Sequence, residues 1–208
     1  MRRRTERQRF GLLVPVKTYA EAKTRLTLAD RETHRRLVRA FADDVLDAAL
    51  ASPSVALVRV VSTDGSLARP GIVVVPDEGG GDLNRALTAA ARRLALDEPS
   101  LGIAAICADL PCLLAADLTA ALGYDGGGRW FIPDAEGKGT SLLAAAPGVE
   151  LEPRFGPGSA AEHEASGAHP VGLELVSLRL DVDTPADLLR ARQVGVGTHT
   201  AEVVTTRG

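Results

Sequence analysis

Residues 102–108 read GIAAICA, an unbroken apolar run that ends at Asp109-Leu110-Pro111. Successive side chains of a β-strand point to opposite faces, so a strand is apolar throughout when both faces of its sheet are covered. This stretch therefore predicts a central strand between two layers of helices, which is typical of α/β proteins with a mainly parallel sheet. It also places Asp109 at the carboxyl end of that strand, where ligands bind in such sheets.

Strand-like and helix-like patterns alternate on both sides of this run. Further strands are predicted over residues 10–16, 55–62, 71–75, 130–133, 141–146 and 173–180. Helices are predicted from a capping-box pattern at 27–30 to about residue 50, over 83–96, 113–122 and 158–167, and after Thr184-Pro185. The order predicts one domain over residues 10–193, preceded by a flexible basic arm over 1–9. Residues 194–208 form a tail that is either loose or adds an edge strand.

The composition limits the possible functions. Of the 208 residues, 45% are hydrophobic and 25% are charged, which is ordinary for a globular protein. The net charge of −3 and the 3% of aromatic residues argue against nucleic-acid binding. No apolar window approaches the ~20 residues of a membrane span. The two cysteines fit a reduced protein, so we expect a cytoplasmic location without a membrane or nucleic-acid partner.

Acidic side chains follow several of the predicted strands. They are Asp77, Asp109, Asp134 and the pair Asp181 and Asp183. Carboxylates at strand ends suggest a hard cation, because Mg2+ prefers carboxylate oxygens combined with substrate phosphates. The alternative for Asp109 and for residues 181–183 is that they only cap turns and helices.

Cations are concentrated in the loop after the first strand, at Lys17, Lys23 and Arg25. Ammonium and guanidinium groups both suit phosphate, although a solvated charged loop is the alternative. Neither the P-loop pattern nor a GxGxxG pattern follows the first strand, so P-loop NTPases and dinucleotide enzymes are disfavoured.

Three small-residue loops could hold anions or a base. Residues 77–84 include Gly80 and Gly81 and end at Asn84, which could read a base edge; a turn with a helix cap is equally compatible. Residues 137–141 offer backbone N–H groups and the hydroxyl of Ser141. Residues 155–159 bring Gly156 and Ser159 to a helix start. His163, in the helix that follows, is interpreted as a packing residue rather than a base.

These motifs occur together in an order that resembles one known family. They are Val14-Pro15-Val16-Lys17, Ala22-Lys23-Thr24-Arg25-Leu26, Gly80-Gly81-Asp82-Leu83-Asn84, Ala108-Asp109-Leu110-Pro111, Gly139-Thr140-Ser141, Phe155-Gly156-Pro157-Gly158-Ser159 with His163, and Asp181-Val182-Asp183-Thr184-Pro185. The set, covering roughly residues 12–192, is similar to the phosphoenolpyruvate / 2-phospho-L-lactate guanylyltransferases of coenzyme F-420 biosynthesis.

The resemblance implies a Rossmann-like nucleotidyltransferase fold, GTP as nucleotide donor and Mg2+ as cofactor. It implies that Asp109 and Asp181 bind the metal and that Ser141, Gly156 and Ser159 hold a small phosphorylated acid. Lys17, Lys23 and Arg25 would face the triphosphate and act in catalysis with Asp109, and the loop with Gly80, Gly81 and Asn84 would face the guanine. The product would pass to the downstream phospholactate transferase of the pathway.

Phosphoenolpyruvate is the expected acceptor, because the arginine-rich start and the high Ala, Arg and Gly usage resemble an actinobacterial protein. Three alternatives stay open from the sequence. The acceptor could be 2-phospho-L-lactate, the chain could be a molybdopterin-type nucleotidyltransferase with other base and acceptor loops, or it could be a non-catalytic GTP-binding module.

Overall fold

The computed structural model describes residues 8–16, 31–124 and 126–205. The strands are β1 (Phe10–Pro15), β2 (Val55–Val61), β3 (Ile72–Val75), β4 (Gly102–Ile106), β5 (Arg129–Pro133), β6 (Thr140–Ala145) and β7 (His169–Pro170). The helices are α1 (Arg31–Ala51), α2 (Leu83–Asp97), α3 (Ala115–Leu122), α4 (Ser159–Ala165), α5 (Val176–Arg179), α6 (Pro185–Val194) and α7 (Thr198–Thr205). No helix in these described ranges is long and apolar enough to cross a membrane.

All of these strands belong to one sheet in the order β3-β2-β1-β4-β6-β5-β7. The strand β6 runs antiparallel to both of its neighbours, β4 and β5, and the other pairs are parallel. The predicted α/β fold with a mostly parallel sheet is therefore confirmed. The carboxyl ends of β1 to β5 and the amino end of β6 lie along the same end of the sheet. This row of strand ends is here called the site edge, and it is distinct from the outer strands β3 and β7.

Helices cover both faces of the sheet, which explains why its strands are apolar throughout. In β1, Leu12 and Val14 pack into the cluster that contains Val45 of α1. The intervening Leu13 packs into the cluster on the other face, which contains Leu87 of α2. Each alternate side chain therefore has a helical layer to pack against, and burying apolar area in this way is the main favourable contribution to folding.

The helical periodicity predicted for α1 is confirmed where the structure describes it. Leu37, Phe41, Val45 and Ala49 recur every four residues and are all buried. The capping-box pattern predicted at 27–30 lies outside the described residues. The flexible arm predicted over residues 1–9 should not include Arg9, because this residue is bonded to the sheet. Its Nη2 donates to the carbonyl of Val55, and its carbonyl accepts from the N–H of Gly102.

The strand predicted over residues 173–180 is wrong. This segment instead contains the single-turn helix α5, and both Leu173 and Val176 are exposed. The strand that pairs with β5 on its outer side is instead β7, which precedes this segment in the chain. Helix α6 begins as predicted, with the side chain of Thr184 accepting from the N–H of Asp187 in a full capping box.

Neither alternative considered for the tail is correct, since residues 198–205 form helix α7. The buried carboxylate of Asp44 in α1 accepts from the N–H groups of His199 and Thr200, at 2.9 and 3.0 Å. The N–H of Gly197 also donates to the carbonyl of Pro111, at 2.7 Å. The start of α7 is therefore attached both to α1 and to the loop that follows Asp109.

Candidate active site

Two carboxylates lie together at the site edge. Asp109 follows the carboxyl end of β4, and Asp181 lies between α5 and α6. The N–H of Val182 donates to the carbonyl of Asp109 at 3.0 Å, which holds the two segments side by side. Leu180 and Val182 are both buried in a cluster with Leu37 and Phe41 of α1. Core packing on either side of Asp181 therefore fixes its position.

The two carboxylates are close enough for the charge of one to affect the other. The pKa of Asp181 is raised from 3.8 to about 7 by burial first and by the negative charge of Asp109 second; Asp183 and Asp134 act in the same direction more weakly. A neighbouring negative charge and burial both disfavour the ionised form of a carboxyl group, here that of Asp181. A cation bound between Asp109 and Asp181 would remove this cost.

Ser141 lies beside the segment that leads to Asp109. Its carbonyl accepts from the N–H of Cys107 at 2.9 Å, two residues before Asp109. Its side chain is buried, and Oγ has no hydrogen-bond partner among the described residues. Buried hydroxyls are normally bonded, so an unused one at a site edge marks a place for a ligand atom.

Gly156 and Ser159 form the turn into α4. The carbonyl of Gly156 accepts from the N–H of Ser159 at 3.1 Å, and Ser159 is buried. Gly156 has a φ of +139°, a conformation that side chains strongly disfavour. The N–H of Ala160 donates to the carbonyl of Lys138 at 3.0 Å, which joins this turn to the loop before Ser141. The structure thus brings the three predicted acceptor residues into one region.

The loop before α2 adopts the predicted glycine turn. Gly80 and Gly81 are exposed, with φ angles of +62° and +92°, so their backbone is open to a ligand. Asp82 caps α2 by accepting from the N–H groups of Asn84 and Arg85. The cap alternative is thus present, and the cap bonds do not use the N–H groups of Gly80 and Gly81.

The side chain of Asn84 has a role that the sequence did not predict. Its Oδ1 accepts from the N–H of Phe155 at 2.7 Å, and its Nδ2 donates to the carbonyl of Phe155 at 2.9 Å. The carboxamide thus connects the loop before α2 to the segment that carries Gly156 and Ser159. The contact of Asn84 with guanine stays a prediction.

His163 is buried and connects two parts of the site. Its Nε2 accepts from the N–H of Arg154 at 2.9 Å, so the ring proton lies on Nδ1, which is 2.9 Å from the Thr140 hydroxyl. Burial lowers the pKa of His163 from 6.5 to about 4, and the charges of Arg154 and Arg129 add to that effect. The neutral ring is a fixed structural link, in agreement with its interpretation as a packing residue rather than a base.

The protonation of His163 predicts a loss of stability in mild acid. Its pKa is lower in the folded protein than the ordinary 6.5, so the unfolded chain takes up the proton first as the pH falls. The free energy of unfolding should be highest above about pH 6.5 and should fall between pH 6.5 and 4, by at most about 3 kcal/mol from this group. Urea unfolding at pH 7 and pH 4.5 measures it. The variant His163→Gln should show a shallower dependence, and equal slopes in both proteins would contradict the prediction.

Arg179 is a second residue that the sequence did not single out. Its guanidinium donates to the carbonyls of Pro133 and Asp134 at 3.0 and 2.8 Å, and to the carbonyl of Leu173. These bonds attach the end of β5 to the segment that leads into Asp181. Its position inside an alternating apolar pattern concealed this role, because the pattern predicted a strand.

Some predicted site residues fall outside the described ranges. They are Lys17, Lys23 and Arg25, and their contact with a triphosphate stays a prediction. Val16, just before them, ends at the site edge, where its N–H donates to the carbonyl of Val61 at 3.0 Å.

The described residues fit a divalent cation that is completed by substrate. Within the described ranges no cluster of three or more His, Cys, Asp or Glu side chains is arranged to hold a metal ion. Asp109 and Asp181 supply two carboxylates, which matches Mg2+ because this ion is usually bound by one or two carboxylates plus phosphate oxygens and water. The mutual repulsion of these two groups is the structural observation that favours such an ion.

The fold is shared with solved structures, one of which is a nucleotidyl transferase. A nucleotidyl transferase from Methanothermobacter superposes with a TM-score of 0.55 at 17% identity, covering 96% of this chain and 99% of that one. A Mycobacterium tuberculosis protein, Rv0371c, solved in complex with manganese, superposes with a TM-score of 0.54 at 19% identity, covering 90% of this chain and all of that one. At these identities the similarity establishes the fold.

The sequence comparisons establish the family. A curated phosphoenolpyruvate guanylyltransferase from Streptomyces coelicolor is 48% identical over 204 residues, covering 93% of this chain and 95% of the relative. The protein of the same name from Thermomonospora curvata is 44% identical, covering 92% of this chain and 87% of the relative. The family model described as guanylyl transferase CofC like matches residues 10–207. The predicted resemblance is thus confirmed, and the chain belongs to the CofC-like guanylyl transferase family.

Proposed function

We propose that the chain transfers the guanylyl group of GTP to phosphoenolpyruvate, giving enolpyruvoyl-2-diphospho-5'-guanosine and pyrophosphate in coenzyme F-420 biosynthesis. The observation that carries the proposal is the pair Asp109 and Asp181, together with the buried Ser141 hydroxyl, which has no hydrogen-bond partner among the described residues. Family membership and the names of the relatives support it. We include Mg2+ as the cofactor, and the cytoplasm as the location because GTP is available there.

The proposed reaction requires alignment of two anions more than a covalent nucleophile. A phosphate oxygen of the acceptor forms a bond to the α-phosphorus of GTP, and the bond from that phosphorus to the oxygen bridging the β-phosphorus breaks. The leaving oxygen takes the electron pair and departs with pyrophosphate. In such reactions positioning and charge neutralisation provide most of the rate enhancement.

Each group of residues would have one task. Asp109 and Asp181 would hold Mg2+, which when bound neutralises charge on the triphosphate. Lys17, Lys23 and Arg25 would bind the triphosphate oxygens, and the loop with Gly80 and Gly81 would lie against the guanine. Ser141, Gly156 and Ser159 would orient the acceptor, and the product would pass to the downstream phospholactate transferase.

The acceptor preference is expected to be real but incomplete. Phosphoenolpyruvate and 2-phospho-L-lactate share a carboxylate and a phosphate, and differ only in the planar or tetrahedral carbon between them. A small apolar difference of this kind is worth only ~1–3 kcal/mol. With both acids at equal concentration and limiting enzyme, mass spectrometry should show the enolpyruvoyl product in excess. A mixture dominated by the lactyl product would overturn this preference and leave guanylyl transfer intact.

The nucleotide and the catalysis are tested separately. In a thermal-shift series with Mg2+, GTP should raise the melting temperature more than CTP or ATP, because a ligand that binds only the folded state stabilises it. A larger shift with CTP would favour a molybdopterin-type transferase. Pyrophosphate release from GTP with phosphoenolpyruvate distinguishes an enzyme from a binding module, which would bind GTP and release none.

A further inference from the structure

The bond between Asn84 and Phe155 is a direct connection between two parts of the proposed site. Both polar atoms of the Asn84 carboxamide bond the main chain of one residue, at 2.7 Å to the N–H and 2.9 Å to the carbonyl of Phe155. Such a two-point contact fixes both the distance and the orientation of the partner backbone. The two residues are 71 positions apart in the chain, so the bond joins separate elements.

On one side of this bond is the glycine turn before α2. Asn84 is the second residue of α2, and its own N–H is held by the cap residue Asp82 at 2.8 Å. The Cβ that a side chain would add at Gly79 would lie 2.2 Å from the carbonyl oxygen of Asp82, so the turn is closely packed against the helix start. Movement of the turn on ligand binding would therefore be transmitted to Asn84.

On the other side is the segment of residues 155–159, which carries Gly156 and Ser159. The ring of Phe155 packs edge-on against His163, with centroids 5.3 Å apart. His163 in turn contacts the hydroxyl of Thr140, the neighbour of Ser141. A change at Phe155 would therefore reach the three residues proposed to hold the acceptor.

We infer that Asn84 is a positioning residue that couples the loop of residues 79–84 to the segment of residues 155–159, so that nucleotide bound at the first orders the second for the acceptor. The inference rests on the proposed function for the identity of the two ligands. Coupling between two sites is reciprocal, so the acceptor must also strengthen nucleotide binding. The coupling would help the reaction by aligning the acceptor with the nucleotide, because a misplacement of about 1 Å can cost about 100-fold in rate.

Hydrogen exchange read by mass spectrometry tests the coupling without depending on turnover. In the wild type, GTP with Mg2+ should slow exchange both in residues 79–88 and in residues 151–160. In Asn84→Ala, GTP should slow exchange only in 79–88, and the amide of Phe155 should exchange faster even without ligand. Asn84→Asp keeps the acceptor for the Phe155 N–H and loses the donor, so it should give an intermediate result and serves if Asn84→Ala does not fold.

Thr88→Val is the matched control. The Thr88 hydroxyl donates to the carbonyl of Asn84 at 2.7 Å, so this variant also loses one hydrogen bond in the first turns of α2 but leaves the Phe155 contact in place. It should behave like the wild type in both peptides. In steady-state kinetics, Asn84→Ala should raise KM for phosphoenolpyruvate by about tenfold, and Thr88→Val should not.

The outcomes separate this inference from the proposed function. GTP protection confined to residues 79–88 in the wild type would overturn the coupling and leave the nucleotide site in place. An absence of GTP protection in residues 79–88 would overturn both the location of the nucleotide and the coupling. Equal protection of residues 151–160 in Asn84→Ala and in the wild type would show that the coupling does not pass through Asn84.

Discussion

Asp109→Asn and Asp181→Asn are each expected to lower pyrophosphate release from GTP and phosphoenolpyruvate by about a thousandfold, the upper range for removing one stabilising group from a transition state. Each variant loses one of the two carboxylates that would hold the divalent cation. The amide has the same shape and takes away one of two neighbouring negative charges, so the fold should not be weakened. Circular dichroism and thermal melting check the fold, and a coupled pyrophosphate assay checks turnover.

Asp183→Asn is the matched control for the metal site. Asp183 lies in the same segment as Asp181 but is exposed, and its N–H is 3.3 Å from the helix-cap carboxylate of Asp187. This variant should retain most of the activity. A near-wild-type rate in either Asp109→Asn or Asp181→Asn would remove that residue from the proposed metal site.

Ser141→Ala is expected to raise KM for phosphoenolpyruvate by about ten- to hundredfold and to change KM for GTP little. The lost bond would go to an anion, and such bonds are worth roughly 1.5–3 kcal/mol. Because Ser141 Oγ has no partner among the described residues, its removal should leave the free energy of unfolding unchanged or slightly higher. Ser159→Ala should show the same selective effect on the acceptor. Initial-rate kinetics with each substrate varied, together with urea unfolding, measure both quantities.

Ser177→Ala tests whether any buried serine would give this result. The Ser177 hydroxyl donates to Asp117 at 2.7 Å and accepts from the N–H of Leu114 at 3.1 Å. Its removal leaves a partly buried N–H and a carboxylate without these bonds, so it should lower stability with no selective change in KM. If Ser141→Ala raised KM for GTP rather than for the acceptor, Ser141 would have been assigned to the wrong substrate.

The sequence was most informative where local pattern and burial agree. Runs such as residues 102–108 predict strands reliably, because a stretch apolar on both faces has few other stable placements. Residues 173–180 alternate between apolar and polar side chains, which also predicts a strand, but only their second half is buried and they form α5 instead. Helix α7 contains β-branched residues that favour strands, yet the cap from Asp44 and the packing of Val203 and Val204 outweigh that preference.

The site was only partly predictable for a related reason. Asp109 could be singled out because it follows an apolar strand, and Asp181 because it matches a family motif; their role as metal ligands stays a prediction. The bond from Asn84 to Phe155 could not, because it depends on the three-dimensional closeness of residues 71 positions apart. His163 was identified as a packing residue, but the atoms that it joins become visible only in the structure.

The attachment of α7 to Asp44 also sets the order in which the protein can be completed during synthesis. Asp44 is synthesised early, but its buried carboxylate accepts from the N–H groups of His199 and Thr200. These two residues come much later in the chain, at separations of 155 and 156 positions. A carboxylate cannot be buried at low cost before its partners exist. Until residues 199 and 200 have been synthesised, this face of α1 is expected to stay hydrated, and until Gly197 has been synthesised the loop after Asp109 lacks its bond to that residue. A nascent chain that stops before Gly197 would therefore lack both attachments of α7, the one to Asp44 and the one to the loop after Asp109.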